Sequence, residues 1–100
     1  MIQISKLPQG YHSVNPYIVI KEAEKFILFL QSVFDARKIK EINENGGYYA
    51  EVKIGDSCIM IEENKSAVSQ EGTYLWVYVR DTRFIYERAI ATGCTSLEAP

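Results

Sequence analysis

A divergent internal repeat constrains this chain more than any other feature of its sequence. The stretch YIVIKEAEKFI at residues 17–27 aligns with VYVRDTRFI at residues 77–85. Each runs from an alternating strand pattern, through basic and acidic residues, into a helical pattern. A repeat of this kind indicates that one supersecondary unit occurs twice. We therefore predict an α+β chain built from two related modules.

The pattern of the first half predicts the element order β-α-β-β-β. Its elements are a strand at 12–20, a helix at 22–35, and strands at 37–43, 47–54 and 57–63. Asn45-Gly46 predicts a tight hairpin, because both residues adopt positive φ readily. Gly55-Asp56 predicts a second turn, and Asp35 is expected to end the helix in a left-handed conformation.

The spacing of apolar residues predicts which faces form the core. In the first strand, Val14, Ile18 and Ile20 share one face, while Asn15, Tyr17 and Val19 share the other. In the strand at 47–54, the same alternation separates Ala50, Val52 and Ile54 from Tyr49, Glu51 and Lys53. In the strand at 57–63, it separates Ile59 and Ile61 from Cys58, Met60 and Glu62. The helix carries an apolar stripe of Ala23, Phe26, Ile27, Leu30, Val33 and Phe34. We expect this stripe to pack on the aliphatic faces of the strands.

The second half predicts the order β-α-β after a polar connector. Residues 73–81 alternate as a strand, with Leu75, Val77 and Val79 against Trp76 and Tyr78. Asp81 is expected to cap the following helix, and Gly93 to follow its end. Another strand is expected to start within 94–100. The predicted division is a first module at 1–63, a connector at 64–72 and the start of a second module at 73–100.

Composition excludes several classes of function. The formal net charge of −2, with acidic and basic residues mixed along the chain, argues against a nucleic-acid-binding face. The longest apolar stretches are too short to span a bilayer, and the first ten residues lack the pattern of a signal peptide. Cys58 and Cys94 have neither zinc-site spacing nor a disulfide framework. We expect buried free thiols in a cytoplasmic protein.

The chain resembles the vicinal oxygen chelate superfamily of glyoxalase I, bleomycin-resistance proteins and extradiol dioxygenases, most closely its PhnB-like, glyoxalase-like branch. The resemblance lies in PQGYHSVNPYIVI at 8–20, FLQSVFDA at 29–36, YAEVKIGDSCIMIEE at 49–63 and VYVRDTRFIYERAIATGC at 77–94. It implies tandem βαβββ modules that form a cupped sheet, with the second module incomplete in this chain. Either further residues complete that module or a partner subunit does, and we expect a homodimer with Trp76 or Tyr78 near the interface.

The resemblance also implies where ligands would lie. Metal-using members carry His or Gln on the first strand of each module and Glu on the last, and these positions fall at Asn15, near Glu62 and near Trp76. The expected ligand pocket comprises Asn15, Tyr17, Met60, Glu62, Trp76 and Tyr78. No cofactor is predicted, although a divalent metal becomes possible if additional strands supply ligands.

Each candidate residue has a structural alternative. His12 and Glu62 are weak metal candidates. His12 is expected at the mouth of the first strand, where it faces away from Asn15. Glu62 and Glu63 can be a general base or ligand, but their position favours a solvated strand end. Trp76 and Tyr78 can fill space between half-sheets as well as stack on a flat ligand.

Three functions follow from these observations. The first is a metal-independent protein of the bleomycin-resistance type that binds a small organic ligand. The second is a metal-dependent lyase, isomerase or dioxygenase with Glu62 as ligand or base. The third is a domain whose main property is dimerisation. Because the fold supports all of them, the choice depends on the site.

Overall fold

The computed structural model describes residues 9–67 and 74–100. Their elements are β1 (Tyr17–Ile20), α1 (Ala23–Phe34), β2 (Arg37–Glu44), β3 (Gly47–Ile54), β4 (Ser57–Glu63) and α2 (Thr82–Ala91). The β-α-β-β-β order of the first half is therefore confirmed. Residues 1–8 of the predicted first module, and residues 68–73 of the predicted connector and strand, lie outside the described residues.

The four strands form one sheet in the order β1-β4-β3-β2. Strands β2, β3 and β4 are successive antiparallel neighbours, whereas β1 pairs parallel to β4. The β2–β3 hairpin turns at Asn45 and Gly46, with φ of 53° and 75°, as the sequence predicts. Strand β2 lies at the sheet edge, where its lysines and a bulge between Lys38 and Lys40 discourage pairing with another chain.

The core lies between α1 and one face of the sheet. Its fully buried side chains include Ile27, Leu30 and Val33 of the helix and Val52 and Ile61 of the strands. Phe26 and Phe34 are only partly buried at the margin of this core, so the predicted stripe is correct but its centre lies at Ile27 and Leu30.

Different contacts stabilise the two ends of helix α1. At its C-terminus, Asp35 adopts φ 55° and its N–H reaches back to the Leu30 carbonyl, which confirms the predicted left-handed ending. At its N-terminus, Glu22 makes no side-chain cap. The Ala23 N–H instead donates to the Glu63 carboxylate of β4 at 3.2 Å, so a strand end caps the helix.

Helix α2 docks on the end of α1 through one arginine. The Arg88 guanidinium donates to the Ser32 carbonyl and, at 3.1 Å, to the Asp35 carboxylate, while it also lies 5.4 Å from the centre of the Phe84 ring. Asp81 caps α2 by accepting the Phe84 N–H at 2.9 Å, as predicted. Among the described residues, no helix is both long and apolar enough to cross a membrane.

Three predicted strand assignments are wrong. The first strand begins at Tyr17 and not at residue 12, because Asn15 folds back on His12 in a turn before Pro16. Val14 is consequently 85% exposed and contributes nothing to the core of the sheet. Residues 74–79 form no strand, since no described strand lies beside them to accept their hydrogen bonds, and residues 94–100 form none either.

Two leucines of α1 allow a direct test of this core. Leu30→Ala should lower the free energy of unfolding by about 2–5 kcal/mol, because Leu30 is 1% exposed and its truncation leaves a cavity. Leu28→Ala, two residues away and 62% exposed, is the matched control and should change stability by only about 0.5 kcal/mol. Urea unfolding of both variants measures the difference. Equal losses would show that the helix packs through another face.

Candidate functional site

The sheet face opposite α1 carries the polar and aromatic side chains of the central strands. Alternate residues of a strand share a face, and the registers set Tyr49 beside Glu62 and Glu51 beside Met60 on the antiparallel strands. Parallel pairing sets Tyr17 beside Met60. We call this surface the tyrosine face and define it by Tyr17, Tyr49, Glu51, Met60 and Glu62.

An accessible aromatic pair and a carboxylate form one end of the tyrosine face. The rings of Tyr17 and Tyr49 stack with centroids 6.0 Å apart and an interplanar angle of 28°. The Tyr17 hydroxyl donates to Glu62 Oε1 at 2.5 Å. Tyr17 remains 51% exposed, and Glu62 is half-buried, so both groups are open to a ligand from solution.

A buried carboxylate occupies the other end. Glu51 is only 2% exposed, yet each of its oxygens accepts a hydrogen bond, one from the Tyr11 hydroxyl and one from the Tyr49 hydroxyl at 2.5 Å. A buried charge requires such partners. A buried polar group without a hydrogen bond costs about 1–3 kcal/mol of stability, and a charged group costs more. Tyr11 belongs to the loop before β1, so Glu51 ties this loop to the sheet.

The two carboxylates raise the pKa values of the phenols bound to them. The hydrogen bond to Glu51, with burial as a smaller cause, raises the pKa of Tyr11 to about 12. Burial, and as a smaller cause the hydrogen bond to Glu51, also raises the pKa of Tyr49. The bond to Glu62 raises the pKa of Tyr17. All three phenols therefore stay protonated and act as hydrogen-bond donors at neutral pH.

Cys58 lies at the buried end of the same face. It is 1% exposed, and burial, with the nearby Glu51 charge as a lesser cause, raises the pKa of its thiol. A protonated, inaccessible thiol is a poor nucleophile. Both cysteines are free, as expected, but only Cys58 is buried, whereas Cys94 is partly exposed and lies in no strand.

The structure separates the residues that the sequence assigned to one pocket. Tyr17, Met60 and Glu62 lie together on the tyrosine face. Asn15 lies in the preceding loop, where its amide accepts the His12 N–H at 3.1 Å and donates to the His12 carbonyl at 2.7 Å. His12 itself is half exposed and places Nε2 4.0 Å from the Asp56 carboxylate, on the β3–β4 turn.

Trp76 and Tyr78 lie elsewhere. They are 85% and 90% exposed and belong to the segment at residues 74–79, which forms no strand. With Val14, Ile54 and Ile59 they line an apolar cavity of about 610 Å³. This cavity borders the aliphatic core and not the tyrosine face.

Three residues of the site, Tyr11, Tyr49 and Glu51, were not assigned to the ligand pocket from the sequence. The alternation of β3 already placed Tyr49 and Glu51 on the polar face, which was the available signal. Nothing in the sequence connects Tyr11 with Glu51, because the contact spans forty residues and depends on the path of a loop.

The residues that the resemblance assigns to metal-ligand positions do not fit a metal site. The side-chain amide of Asn15 is already hydrogen-bonded to the His12 backbone. The indole of Trp76 offers an N–H donor, whereas a metal needs a lone pair. Glu62 alone offers a carboxylate. Across the described residues, no three His, Cys, Asp or Glu side chains converge.

Solved structures with the same architecture are fosfomycin resistance proteins. A mutant of the FosX protein from Listeria monocytogenes, complexed with Mn(II) and 1S,2S-dihydroxypropylphosphonic acid, matches with TM-score 0.72 and 21% identity over 86% of this chain and 73% of that one. A monoclinic form of the Listeria protein at pH 6.5 matches with TM-score 0.73 and 21% identity over 98% and 77%. FosX from Mesorhizobium loti matches with TM-score 0.66 and 19% identity over 80% and 68%.

These likenesses show the fold. The chain has the α+β, glyoxalase-like fold of the FosX proteins, which are members of the vicinal oxygen chelate superfamily. No protein-family model and no curated protein matches the chain.

The Tyr11–Glu51 bond predicts a pH dependence. Because folding raises the pKa of Tyr11 from about 10 to about 12, the bond stabilises the fold fully below pH 10 and is lost as the pH rises through 12. Glu51→Gln removes the charge and should return the pKa of Tyr11 toward 10. Ultraviolet phenolate titration, referenced to Tyr11→Phe, isolates this group.

Glu62→Gln is the matched control for that titration. It should lower the pKa of Tyr17 and leave that of Tyr11 near 12, because the two carboxylates bind different phenols. A Tyr11 phenol that titrates near 10 in the unaltered protein would contradict the contact with Glu51.

Proposed function

We propose that this protein binds a small organic ligand on the tyrosine face, without a catalytic metal, and that the ligand combines a flat ring with an ammonium or other hydrogen-bond donor. The observation that carries the proposal is the accessible Tyr17–Tyr49 stack beside the Glu62 carboxylate. This corresponds to the bleomycin-resistance type of function and to a place in the PhnB-like branch.

The aromatic pair supplies an apolar platform. Aromatic side chains offer large contact areas at low entropic cost and stack on flat ligands at offset geometry. The exposed half of the Tyr17 ring is available for this contact, and the Tyr49 ring stacks against Tyr17.

The Glu62 carboxylate supplies direction and charge preference. Its Oε1 accepts the Tyr17 hydroxyl, whereas Oε2 accepts no hydrogen bond from another described residue. A ligand donor can therefore bind Oε2 without breaking the existing contact. A charge-assisted hydrogen bond of this kind is stronger than a neutral one.

Glu51 has a supporting role in this arrangement. Both of its oxygens are already bonded and it is shielded from solvent, so it offers nothing to a ligand. Its bond to the Tyr49 hydroxyl fixes the inner ring of the platform, and a fixed platform reduces the ordering cost of binding.

The proposed ligand class differs from that of the structural neighbours. One FosX structure contains a phosphonic acid and another a sulfate ion, both anionic, together with Mn(II). The tyrosine face instead presents carboxylates, and a carboxylate repels an anion unless a cation lies between them. The resemblance implies that a second module would form the opposite wall of the cup, and the free cysteines favour a cytoplasmic protein.

A pair of ring compounds of opposite charge tests the proposal. Tryptamine should shift the backbone amide resonances of Tyr17, Tyr49 and Glu62 in NMR spectra, and indole-3-propionate should not, because only the amine complements Glu62. Glu62→Gln should weaken tryptamine binding about tenfold, which corresponds to one charge-assisted hydrogen bond of about 1.4 kcal/mol.

Glu87→Gln, an exposed carboxylate on α2, is the control and should leave the affinity unchanged. Equal binding of the amine and the carboxylate, or shifts confined to other surfaces, would refute the proposed site.

The metal-dependent alternative is favoured by one observation, the Mn(II) in FosX structures of the same fold. Because Asn15 and Trp76 do not supply ligands, we expect no binding of Mn(II), Zn(II) or Ni(II) below micromolar concentration by calorimetry. Stoichiometric binding that disappears in Glu62→Gln, but persists in Glu87→Gln, would instead establish the metal-dependent function.

A further inference from the structure

A bulge in β2 brings basic residues onto the side of the sheet that carries the tyrosine face. Residues 37 and 40 of an unbroken strand would face opposite sides, because successive side chains alternate. The register of β2 shifts between Lys38 and Lys40, so that Arg37 pairs with Lys53 and Lys40 pairs with Glu51. Lys53 shares the side of Glu51 by alternation, and directly paired residues also share a side. Three cations therefore lie on this side, and we call them the basic corner: Arg37, Lys40 and Lys53.

The basic corner lacks the ion pair that the same bulge creates on the other side of the sheet. There, Lys38 lies 2.7 Å from the Glu41 carboxylate. None of the described carboxylates lies within 4 Å of a nitrogen of the basic corner. Arg37 directly opposes Lys53, and like charges in opposed positions are destabilising. Protection of the sheet edge explains charges on β2, but Lys53 lies on the inner strand β3.

The buried Glu51 carboxylate does not neutralise this charge. It lies opposite Lys40, yet it is 2% exposed and both of its oxygens accept tyrosine hydroxyls. One carboxylate also leaves a surplus beside three cations. Arg37 and Lys40 are exposed, so the surplus positive charge faces solvent and attracts an anionic group.

We infer that the ligand of the tyrosine face is a zwitterion, whose ammonium binds Glu62 and whose carboxylate binds the basic corner. This inference rests on the proposed function, because it adds a second charge to the ligand proposed there. The Arg37 guanidinium can bind a carboxylate through two parallel hydrogen bonds, and Lys40 adds a point charge beside it.

The strand registers set the separation of the two charges of the ligand. Glu62 pairs with Tyr49 on β3, and Tyr49 pairs with Ile42 on β2, two residues beyond Lys40. Two inter-strand spacings are about 10 Å, and two residues along a strand are about 7 Å. The Cα atoms of Glu62 and Lys40 are therefore roughly 12 Å apart. The line between them crosses β3 beside Tyr49, so a ring on the aromatic platform lies between the two charged groups.

Two tripeptides that differ only at the C-terminus test the inference. Tryptophyl-glycyl-glycine carries an ammonium beside its indole and a carboxylate about 10 Å away when extended, and its C-terminal amide lacks the carboxylate. Both should shift the backbone amide resonances of Tyr17, Tyr49 and Glu62 in NMR spectra, and only the free acid should also shift those of Arg37 and Lys40. The free acid should bind about fivefold more tightly, as a surface ion pair allows, and 0.5 M NaCl should remove most of this difference.

Charge-removing variants locate the carboxylate. Arg37→Gln combined with Lys40→Gln should lower the affinity for the free acid to that for the amide and leave the amide affinity unchanged, which also shows that the variant is folded. Lys25→Gln removes an exposed cation of α1, on the other side of the sheet, and should preserve the fivefold difference.

The two proposals fail in different ways. Equal affinities of the two peptides in the unaltered protein, with the Tyr17 and Tyr49 shifts retained, would overturn the zwitterion and leave the proposed function standing. A fivefold difference that survives in the Arg37→Gln, Lys40→Gln variant would also overturn it. Absence of the Tyr17 and Tyr49 shifts with both peptides would overturn both proposals.

Discussion

The parallel pairing of β1 with β4 is the constraint on which the rest of the structure depends. It joins residues more than forty positions apart through the Met60 N–H to the Pro16 carbonyl and the Asn64 N–H to the Ile20 carbonyl, both at 2.9 Å. That register puts Ile18 under α1, delivers Glu63 to the N-terminus of α1, and sets Tyr17 within reach of Glu62. One pairing therefore completes the core, caps the helix and builds the accessible end of the tyrosine face.

Features encoded by neighbouring residues could be predicted from the sequence. The Asn45-Gly46 hairpin, the left-handed Asp35 and the Asp81 cap each follow from the backbone preference or side chain of one or two residues. Features that depend on distant partners could not. Residues 74–79 alternate as well as β3 does, but alternation identifies a strand only where another strand supplies hydrogen bonds.

Two glutamates on one face show the same limit for the candidate site. Glu51 and Glu62 occupy equivalent alternating positions, and sequence reasoning singled out Glu62. The difference between them is set by Tyr11, which crosses from the loop before β1 and encloses Glu51. Because no hydrogen bond joins that loop to Glu62 among the described residues, one glutamate is buried and the other stays partly exposed, although both alternate onto the same face of the sheet.

The loop before β1 links the tyrosine face with the apolar cavity on the opposite side of the sheet. Tyr11 bonds to Glu51 on one side of the sheet, while Val14 and Pro16 line, with Trp76 and Tyr78, the apolar cavity on the other. Since Glu51 also accepts a hydrogen bond from the Tyr49 hydroxyl, this loop, the buried carboxylate and the inner ring of the tyrosine face are joined by a chain of direct hydrogen bonds.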